Sequence, residues 1–296
     1  MAKRAILLDG SAPAARLFDE VRAQARALRD FRHDQPGLAV IRVGDDPIAL
    51  HYLEEKRRAA DEAGVRLFEH QLPAGTDADE IAVLVGGLND DPNVHGILFQ
   101  TPLPAALDLA RALAAIDPAK DAGGMHPVNL GRLFIGGLVD EIPYTPRAAL
   151  ELLLSQCEDL SGLTALLLGQ APNVILPMVP LLAREGASVV LAHARDPDPK
   201  ARCREADIVV SAGFGAERIR GDWLKPGALV IDAGRNPGRD GRPVGDVCQA
   251  EALAVAQAIS PVPGGIGPLA LAHLMANVVR AAQRLVRTAR RLEVER

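Results

Sequence analysis

Apolar positions along the chain alternate between helical and strand periods. After Ser11-Ala12-Pro13, the residues Leu17, Val21 and Leu28 recur on one helical face. Residues 37–44, largely apolar and bounded by glycines, predict a short buried strand. Asp45-Asp46-Pro47 has the acids and first-turn proline of a helix start, and Gly64 is its stop. Residues 65–72 predict a strand, 77–88 a helix and 94–100 a second buried strand, ended by Thr101-Pro102-Leu103-Pro104. The rhythm then restarts: a helix over 146–154, a strand over 163–169, a helix over 177–185 closed by Gly186, and strands over 187–192, 208–212 and 228–232. Asp196-Pro197-Asp198-Pro199 predicts a surface turn. From Leu269 to the end the chain is helical, with Leu269, Leu271, Leu274 and the apolar positions of 278–285 on one face. The implied fold class is α/β, with parallel strands covered by helices and a doubly wound, nucleotide-domain pattern in the second half.

Composition narrows the function. With 296 residues, 48% hydrophobic and 24% charged, the chain has the material for one or two cores and is not disordered. No apolar segment approaches the roughly 20 residues that span a bilayer. The N-terminus meets Asp9 after four apolar residues, too few for a signal-peptide core. Three dispersed cysteines read as reduced thiols without metal spacing, so the expectation is a cytoplasmic protein with no metal and no membrane association. A net charge of −5 and only nine aromatic residues argue against nucleic acid as a partner. Only five of the 33 basic residues are lysines: Lys3, Lys56, Lys120, Lys200 and Lys225. Each lysine therefore raises the question whether a deprotonable amine is needed there.

Four segments carry candidate chemistry. Tyr52 and Lys56 lie four apart on one helix face, a proton-handling pair if that face lines a cleft and a solvated pair otherwise. Arg57 and Arg58 follow, so arginine is acceptable locally, but arginine does not give up its proton. Gln100 ends a buried strand at its carboxyl end, where it either orients a carbonyl or water or simply caps the strand. Gly169-Gln170-Ala171-Pro172-Asn173-Val174-Ile175-Leu176-Pro177 follows the first strand of the second half. As a dinucleotide loop it offers Gly169, but the bulky Ile175 stands six positions on. The proline- and glycine-rich residues 261–268 either frame a ligand or form a rigid linker.

Taken in order, these segments resemble the methylenetetrahydrofolate dehydrogenase/cyclohydrolase family. The likeness covers nearly the whole chain. It runs through Tyr52-x-x-x-Lys56, Gly96-Ile97-Leu98-Phe99-Gln100-Thr101-Pro102-Leu103-Pro104, Lys120-Asp121, His126-Pro127-Val128-Asn129-Leu130-Gly131-Arg132-Leu133, Pro143-Tyr144-Thr145-Pro146, Gly221-Asp222-Trp223, Gly245-Asp246-Val247 and residues 261–268. The resemblance implies two α/β lobes: a catalytic, folate-binding lobe of residues 1–140 plus 269–296, and a Rossmann-like NAD(P)-binding lobe of 141–268. It implies oxidation of methylenetetrahydrofolate to the methenyl form with NADP, or NAD as the other candidate, then hydrolysis to 10-formyltetrahydrofolate. Lys56 takes the proton-handling role, Gln100 positions, and Tyr52 stacks near the folate ring. Asp121, Gly123, Val262, Pro263, Gly264 and Gly265 fall at substrate-binding positions. Gly169, Gln170, Ala171, Ile175, Arg195 and Arg235 fall at cofactor positions, and a homodimer is implied.

The chain also departs from the family pattern. Lys-Asp-Val-Asp-Gly stands here as Lys120-Asp121-Ala122-Gly123-Gly124, so the acid that anchors the pterin is Gly123. Gly-Arg-Ser-x-x-Val-Gly has become Gly169-Gln170-Ala171-Pro172-Asn173-Val174-Ile175, without the arginine and serine for a 2′-phosphate. Arg195, after the second strand of this half, offers a replacement cation, and Arg235 stands where the family has an apolar residue. These departures set up an alternative: a divergent paralogue without NADP-dependent dehydrogenase activity, whether a cyclohydrolase only, an enzyme for another pterin-like substrate, or a non-catalytic binding protein.

Overall fold

The computed structural model describes residues 4–32, 35–137, 142–238 and 242–294. Strand β1 (Ile6–Leu7) and helix α1 (Ser11–Arg32) lead into β2 (Gly37–Val43), α2 (Pro47–Ala63), β3 (Arg66–Leu72), α3 (Ala78–Asp90), β4 (Gly96–Phe99), α4 (Leu109–Ala114) and α5 (Pro127–Phe134). The chain continues through α6 (Tyr144–Leu154), β5 (Thr164–Gly169), α7 (Pro172–Arg184), β6 (Ser188–Ala192), α8 (Pro199–Glu205), β7 (Ile208–Ala212) and β8 (Leu229–Asp232). The short β9 (Asn236–Pro237), β10 (Pro243–Val244), α9 (Gln249–Ala252) and β11 (Ala258–Ile259) precede the long α10 (Ile266–Val294). Two compact units result: Ala15–Tyr144 with Leu271–Arg296, and Met1–Ala14 with Thr145–Ala270.

In the first unit three parallel strands lie in the order β3-β2-β4. All seven residues of the central β2 are buried, while the edge strand β3 has three exposed positions. The helix between them forms because its ends are satisfied. Asp46 accepts from the N–H groups of Ile48 and Ala49, Pro47 takes the first helical position, and Gly64 closes the helix at φ 71°. At α3 the Asp77 and Glu80 side chains bond each other's backbone N–H groups in a capping box.

The second unit holds a six-stranded, all-parallel sheet in the order β1-β11-β8-β7-β5-β6. From β5 the chain goes to β6 on one side and then to β7 on the other. That reversal is the switch point where open α/β sheets bind ligands, at the strands' carboxyl ends.

Four expectations are corrected. Residues 1–14 group with the second unit, not with the lobe assigned to 1–140. The reason is β1, whose Ile6 N–H donates to the Gln257 carbonyl while the following Leu8 N–H donates to that of Ile259. Helix α7 begins at Pro172 rather than Pro177, and Pro177 and Pro180 lie inside it. Both are on its buried face, where apolar packing outweighs the backbone bonds they cannot make. Helix α10 begins three residues before Leu269. The turn at Asp198 also does more than turn, because its side chain accepts from the Ala201 N–H and starts α8.

Candidate active site

In the first unit, Lys56 lies on the inward stripe of α2 with Ala49, Leu53, Ala60 and Ala63. An amine thus occupies a register that packing would fill with an apolar residue, and it is only 6% exposed. Its Nζ donates to Gln100 Oε1 at 2.7 Å. Gln100 sits one residue past β4, with its N–H still bonded to the Ile41 carbonyl of β2. Its own Nε2 donates to the Thr101 carbonyl at 2.7 Å, so the amide is turned to present oxygen to the amine. The Tyr52 ring centroid, one helical turn before, is 5.8 Å from the same Nζ. Tyr52, Lys56 and Gln100, separated by up to 48 positions in sequence, form one cluster.

Tyr144, the only other tyrosine of the chain, belongs to the same neighbourhood, a placement the sequence reading did not anticipate. Burial pushes its phenol up to about 12, and the Tyr52 phenol adds to the shift. The available signal was the scarcity of tyrosine itself.

The Lys120-Asp121 motif splits into two roles. Lys120 Nζ donates to the carbonyls of Leu88 at 3.2 Å and Asp91 at 2.8 Å, at the carboxyl end of α3. Burial lowers its pKa, against the raising influence of Asp117, Asp91 and Asp90. This lysine closes a helix end, where a cation is favoured. Asp121 is 1% exposed, and its Oδ2 accepts from the His126 N–H at 2.7 Å and from Asn129 Nδ2 at 3.1 Å. Burial pushes its carboxyl above the usual range, opposed by those hydrogen bonds. Its Oδ1 has no hydrogen-bond partner. Gly123, two residues on, is buried. A Cβ placed on it would meet Leu98 Cδ1 at 3.2 Å and Asp121 Oδ1 at 3.6 Å.

In the second unit, Gly169 ends β5 at φ 141°, and a Cβ there would lie 2.0 Å from the Ala212 oxygen of β7. That oxygen accepts the N–H groups of both Gln170 and Ala171, at 3.0 and 3.1 Å. Only glycine allows this approach at the switch point. Ile175 corrects the sequence reading: it is 4% exposed on the inner face of α7, so its bulk packs inward and does not obstruct the turn. The turn itself is lined by Gly169, Ala171 and Gly213, a cradle of small residues suited to a pyrophosphate. Gln170 is exposed there, as are Arg195, three residues beyond β6, and Arg235, three residues beyond β8. The loop carrying Val262, Pro263, Gly264 and Gly265 is tied to the N-terminal segment, the Gly10 N–H donating to the Gly264 carbonyl at 3.0 Å.

Two buried acids shape the neighbouring loops. Asp246 accepts from Ser211 Oγ, the Phe214 and Gly215 N–H groups and Asn236 Nδ2. Asp232 accepts from the N–H groups of Gly234, Asp246 and Val247. Burial, helped by Asp246, raises the Asp232 pKa from 3.8 to about 7. The folded chain thus holds this proton up to about pH 7, whereas the unfolded chain loses it near pH 3.8. Stability should fall as pH rises through that window, on the order of 1 kcal/mol per pH unit. Thermal unfolding between pH 5 and 7 is expected to show this slope and Asp232→Asn to flatten it; a variant with the wild-type slope would overturn the assignment.

Among the described residues no group of three or more His, Cys, Asp or Glu is placed to hold a metal ion, and no helix is long and apolar enough to cross a membrane.

Fold and site together define a class: a two-unit α/β protein with a Rossmann-like parallel sheet in one unit and, in the other, a three-stranded sheet with a buried amine on the helix that links two of its strands. Residues 8–123 match the catalytic-domain model of tetrahydrofolate dehydrogenase/cyclohydrolase, and residues 143–286 match its NAD(P)-binding-domain model. The chain is 44% identical to the bifunctional protein FolD of Paramagnetospirillum magneticum, covering 94% of this chain and 96% of that one. It is 47% identical to the FolD protein of Afipia carboxidovorans, over 93% and 95% of the two chains. The Trypanosoma brucei FolD methylenetetrahydrofolate dehydrogenase-cyclohydrolase, solved with NADP and an inhibitor, superposes with a TM-score of 0.91 at 36% identity, covering 96% and 99%. The Campylobacter jejuni FolD enzyme gives 0.90 at 35% identity, over 95% and 99%. The chain belongs to the tetrahydrofolate dehydrogenase/cyclohydrolase family. Nothing in these relatives supports the divergent-paralogue alternative.

Proposed function

We propose that this protein oxidises 5,10-methylenetetrahydrofolate to 5,10-methenyltetrahydrofolate with NADP and hydrolyses the product to 10-formyltetrahydrofolate. The observation that carries this reading is the buried Lys56–Gln100 pair beside Tyr52. When bound, oxidised NADP supplies the acceptor for the hydride leaving the one-carbon unit. In the hydrolytic step water adds to the methenyl carbon, the bond from that carbon to N5 opens, and one proton is released. Lys56 Nζ is the group that takes up and passes on this proton. Out of water an amine holds its proton less tightly, whereas a guanidinium retains it. Gln100 Oε1 fixes the direction of Nζ, and the Tyr52 ring gives the flat pterin a face.

Asp121 and Gly123 form the substrate position next to β4, with Val262, Pro263, Gly264 and Gly265 as further substrate contacts. The turn of Gly169, Ala171 and Gly213 takes the dinucleotide's pyrophosphate in this reading, because its residues are small: a Cβ on Gly213 would stand 3.3 Å from the Ala171 nitrogen. Gln170 and Arg235 are the further cofactor contacts in this reading, and Arg195 is the cation for a 2′-phosphate, which favours NADP over NAD. The test is an assay of purified protein for reduced-nicotinamide formation from methylenetetrahydrofolate with NADP or NAD, and for loss of the methenyl compound. Protein inert in both assays would overturn the proposal.

The same reading makes the protein a cytoplasmic homodimer. Supporting it, β6 is an edge strand with Val190 38% and Leu191 54% exposed, and unpaired apolar edges favour association. Leu191→Lys is expected to convert a dimer to a monomer in analytical ultracentrifugation. A monomeric wild type at micromolar concentration would remove the idea.

A further inference from the structure

One residue of the buried strand β2 carries a charge: Arg42, whose side chain is only 3% exposed. Packing alone would fill that position with another branched apolar residue, and taking a charge out of water is costly. The register of the sheet shows what the charge lies beside. Ile41 pairs with Phe99, and the Gln100 N–H continues the ladder to the Ile41 carbonyl, so Arg42 and Gln100 stand opposite each other on adjacent strands. Opposed residues point to the same face of a sheet, with backbones about 5 Å apart. Ile41, Val43 and Phe99 pack with Ile81 and Val85 of α3 on the other face. Arg42 therefore shares with Gln100 the face that meets α2, where Gln100 accepts from Lys56.

The partners of the guanidinium lie toward the rim of the sheet. Nη1 donates to the Gly44 carbonyl and, at 3.0 Å, to Asp45 Oδ1, while Nη2 stands 3.7 Å from Glu69 Oε1. Asp45 is 78% exposed, so water screens much of its charge. Glu69 is shared with Arg57, whose Nη2 is closer to it, at 2.9 Å. As a bracket for the loop between β2 and α2 the arginine is incomplete, since its Nε is buried without a hydrogen-bond partner among the described residues. The inner side of this arrangement keeps an excess of positive charge, in the same row as the amide that holds the amine.

The other groups around this face oppose that charge weakly. Tyr52 and, near it, Tyr144 bring phenols, the second pushed up to about 12 by burial and so neutral. Asp121, bridged to β4 at Ile97, is driven toward its protonated form by burial. On α2 itself, Glu54 and Glu55 pair with Arg57, Arg58 and His51 on the solvent side.

We propose that Arg42 is a positioning residue for the hydrolytic step, a fixed positive charge that keeps the Lys56 amine in its proton-accepting form. The proposal rests on the role given to Lys56 above. A like charge nearby favours the neutral amine, and a guanidinium does not relieve the repulsion by giving up its own proton. Neutral Nζ then takes the proton released as water adds to the methenyl carbon and returns it to solvent before the next turnover.

The test titrates the amine directly in the whole protein. With carbon-13 at lysine Cε the chain gives five lysine signals, and Lys56→Met identifies one of them by its loss. In Arg42→Met, which keeps the bulk of the stem, the Lys56 signal is expected to titrate at higher pH than in wild type, with the other four unmoved. Hydrolysis of methenyltetrahydrofolate should fall about 10-fold on the acid side of that titration and recover as pH rises. Arg42→Lys, which keeps a cation, should restore most of the wild-type profile. Glu69→Gln removes an acid from the guanidinium and should move the Lys56 signal the opposite way. It lies on the partly exposed edge strand, so it decides the question should Arg42→Met fail to fold. A Lys56 signal that titrates alike in wild type and variants overturns the proposal and leaves Arg42 as a brace for the loop. Wild-type protein that does not hydrolyse the methenyl compound overturns the folate reading instead, while the lysine titration still decides whether Arg42 governs the amine.

Discussion

Lys56→Met is expected to lower methenyltetrahydrofolate hydrolysis by about 10²- to 10⁴-fold, the range attributed to one positioned proton-transfer group. Methionine keeps the length of the side chain and suits the Ala49–Leu53–Ala60–Ala63 stripe, so the helix should stay packed. What disappears is the amine, and with it the partner of Gln100 Oε1. Lys56→Arg should be as inactive, since a permanently charged fork cannot release the proton. Assaying hydrolysis of preformed methenyl substrate separates this loss from any effect on hydride transfer. A methionine variant retaining more than about a tenth of the hydrolysis rate would exclude Lys56 from general acid–base work.

Gly169→Ala should be the most damaging single-methyl change at the cofactor site, destabilising the protein by more than about 3 kcal/mol and abolishing dinucleotide binding. Two penalties coincide there. The residue sits at φ 141°, and the new Cβ would lie 2.0 Å from the Ala212 oxygen. That oxygen cannot retreat without losing the Gln170 and Ala171 N–H groups. Gly227→Ala is the matched control. It too has a positive φ, 85°, but nothing lies within 4 Å of its Cβ position, so a loss of only about 1 kcal/mol is expected. Equal urea midpoints for the two variants would show that the close approach contributes nothing.

Legibility in the sequence followed local determination. Helix α2 could be read end to end because Asp46, Pro47 and Gly64 act within one turn of the residues they cap. Strand β1 was invisible, being two half-exposed residues that become a strand only through a partner about 250 positions away. Helix α7 was misjudged at its start because prolines read as breakers, and burial of its apolar face overrides that local rule. In the site, Tyr52, Lys56 and Gln100 were identifiable as residue types, but not that the Gln100 amide faces the amine through its oxygen. Lys120 shows the opposite limit: a lysine inside a family motif whose ammonium closes a neighbouring helix. The loss at Gly123 was plain in the sequence, whereas the unsatisfied Asp121 oxygen beside it is a three-dimensional fact.

The pairing of β1 with β11 also bears on how the chain assembles during translation. Ile6 and Leu7 emerge early, but the strand they dock on is completed at Ile259. At about 5–20 residues per second, the edge of the nucleotide sheet waits tens of seconds for its outermost member's partner. Residues 145–270 made alone would present the bare backbone of Ala258 and Ile259 to other chains, and a strand edge left open in this way templates aggregation. Supplying residues 1–14 as a separate peptide should suppress that aggregation, making the N-terminal segment an edge guard for a sheet encoded mostly far downstream.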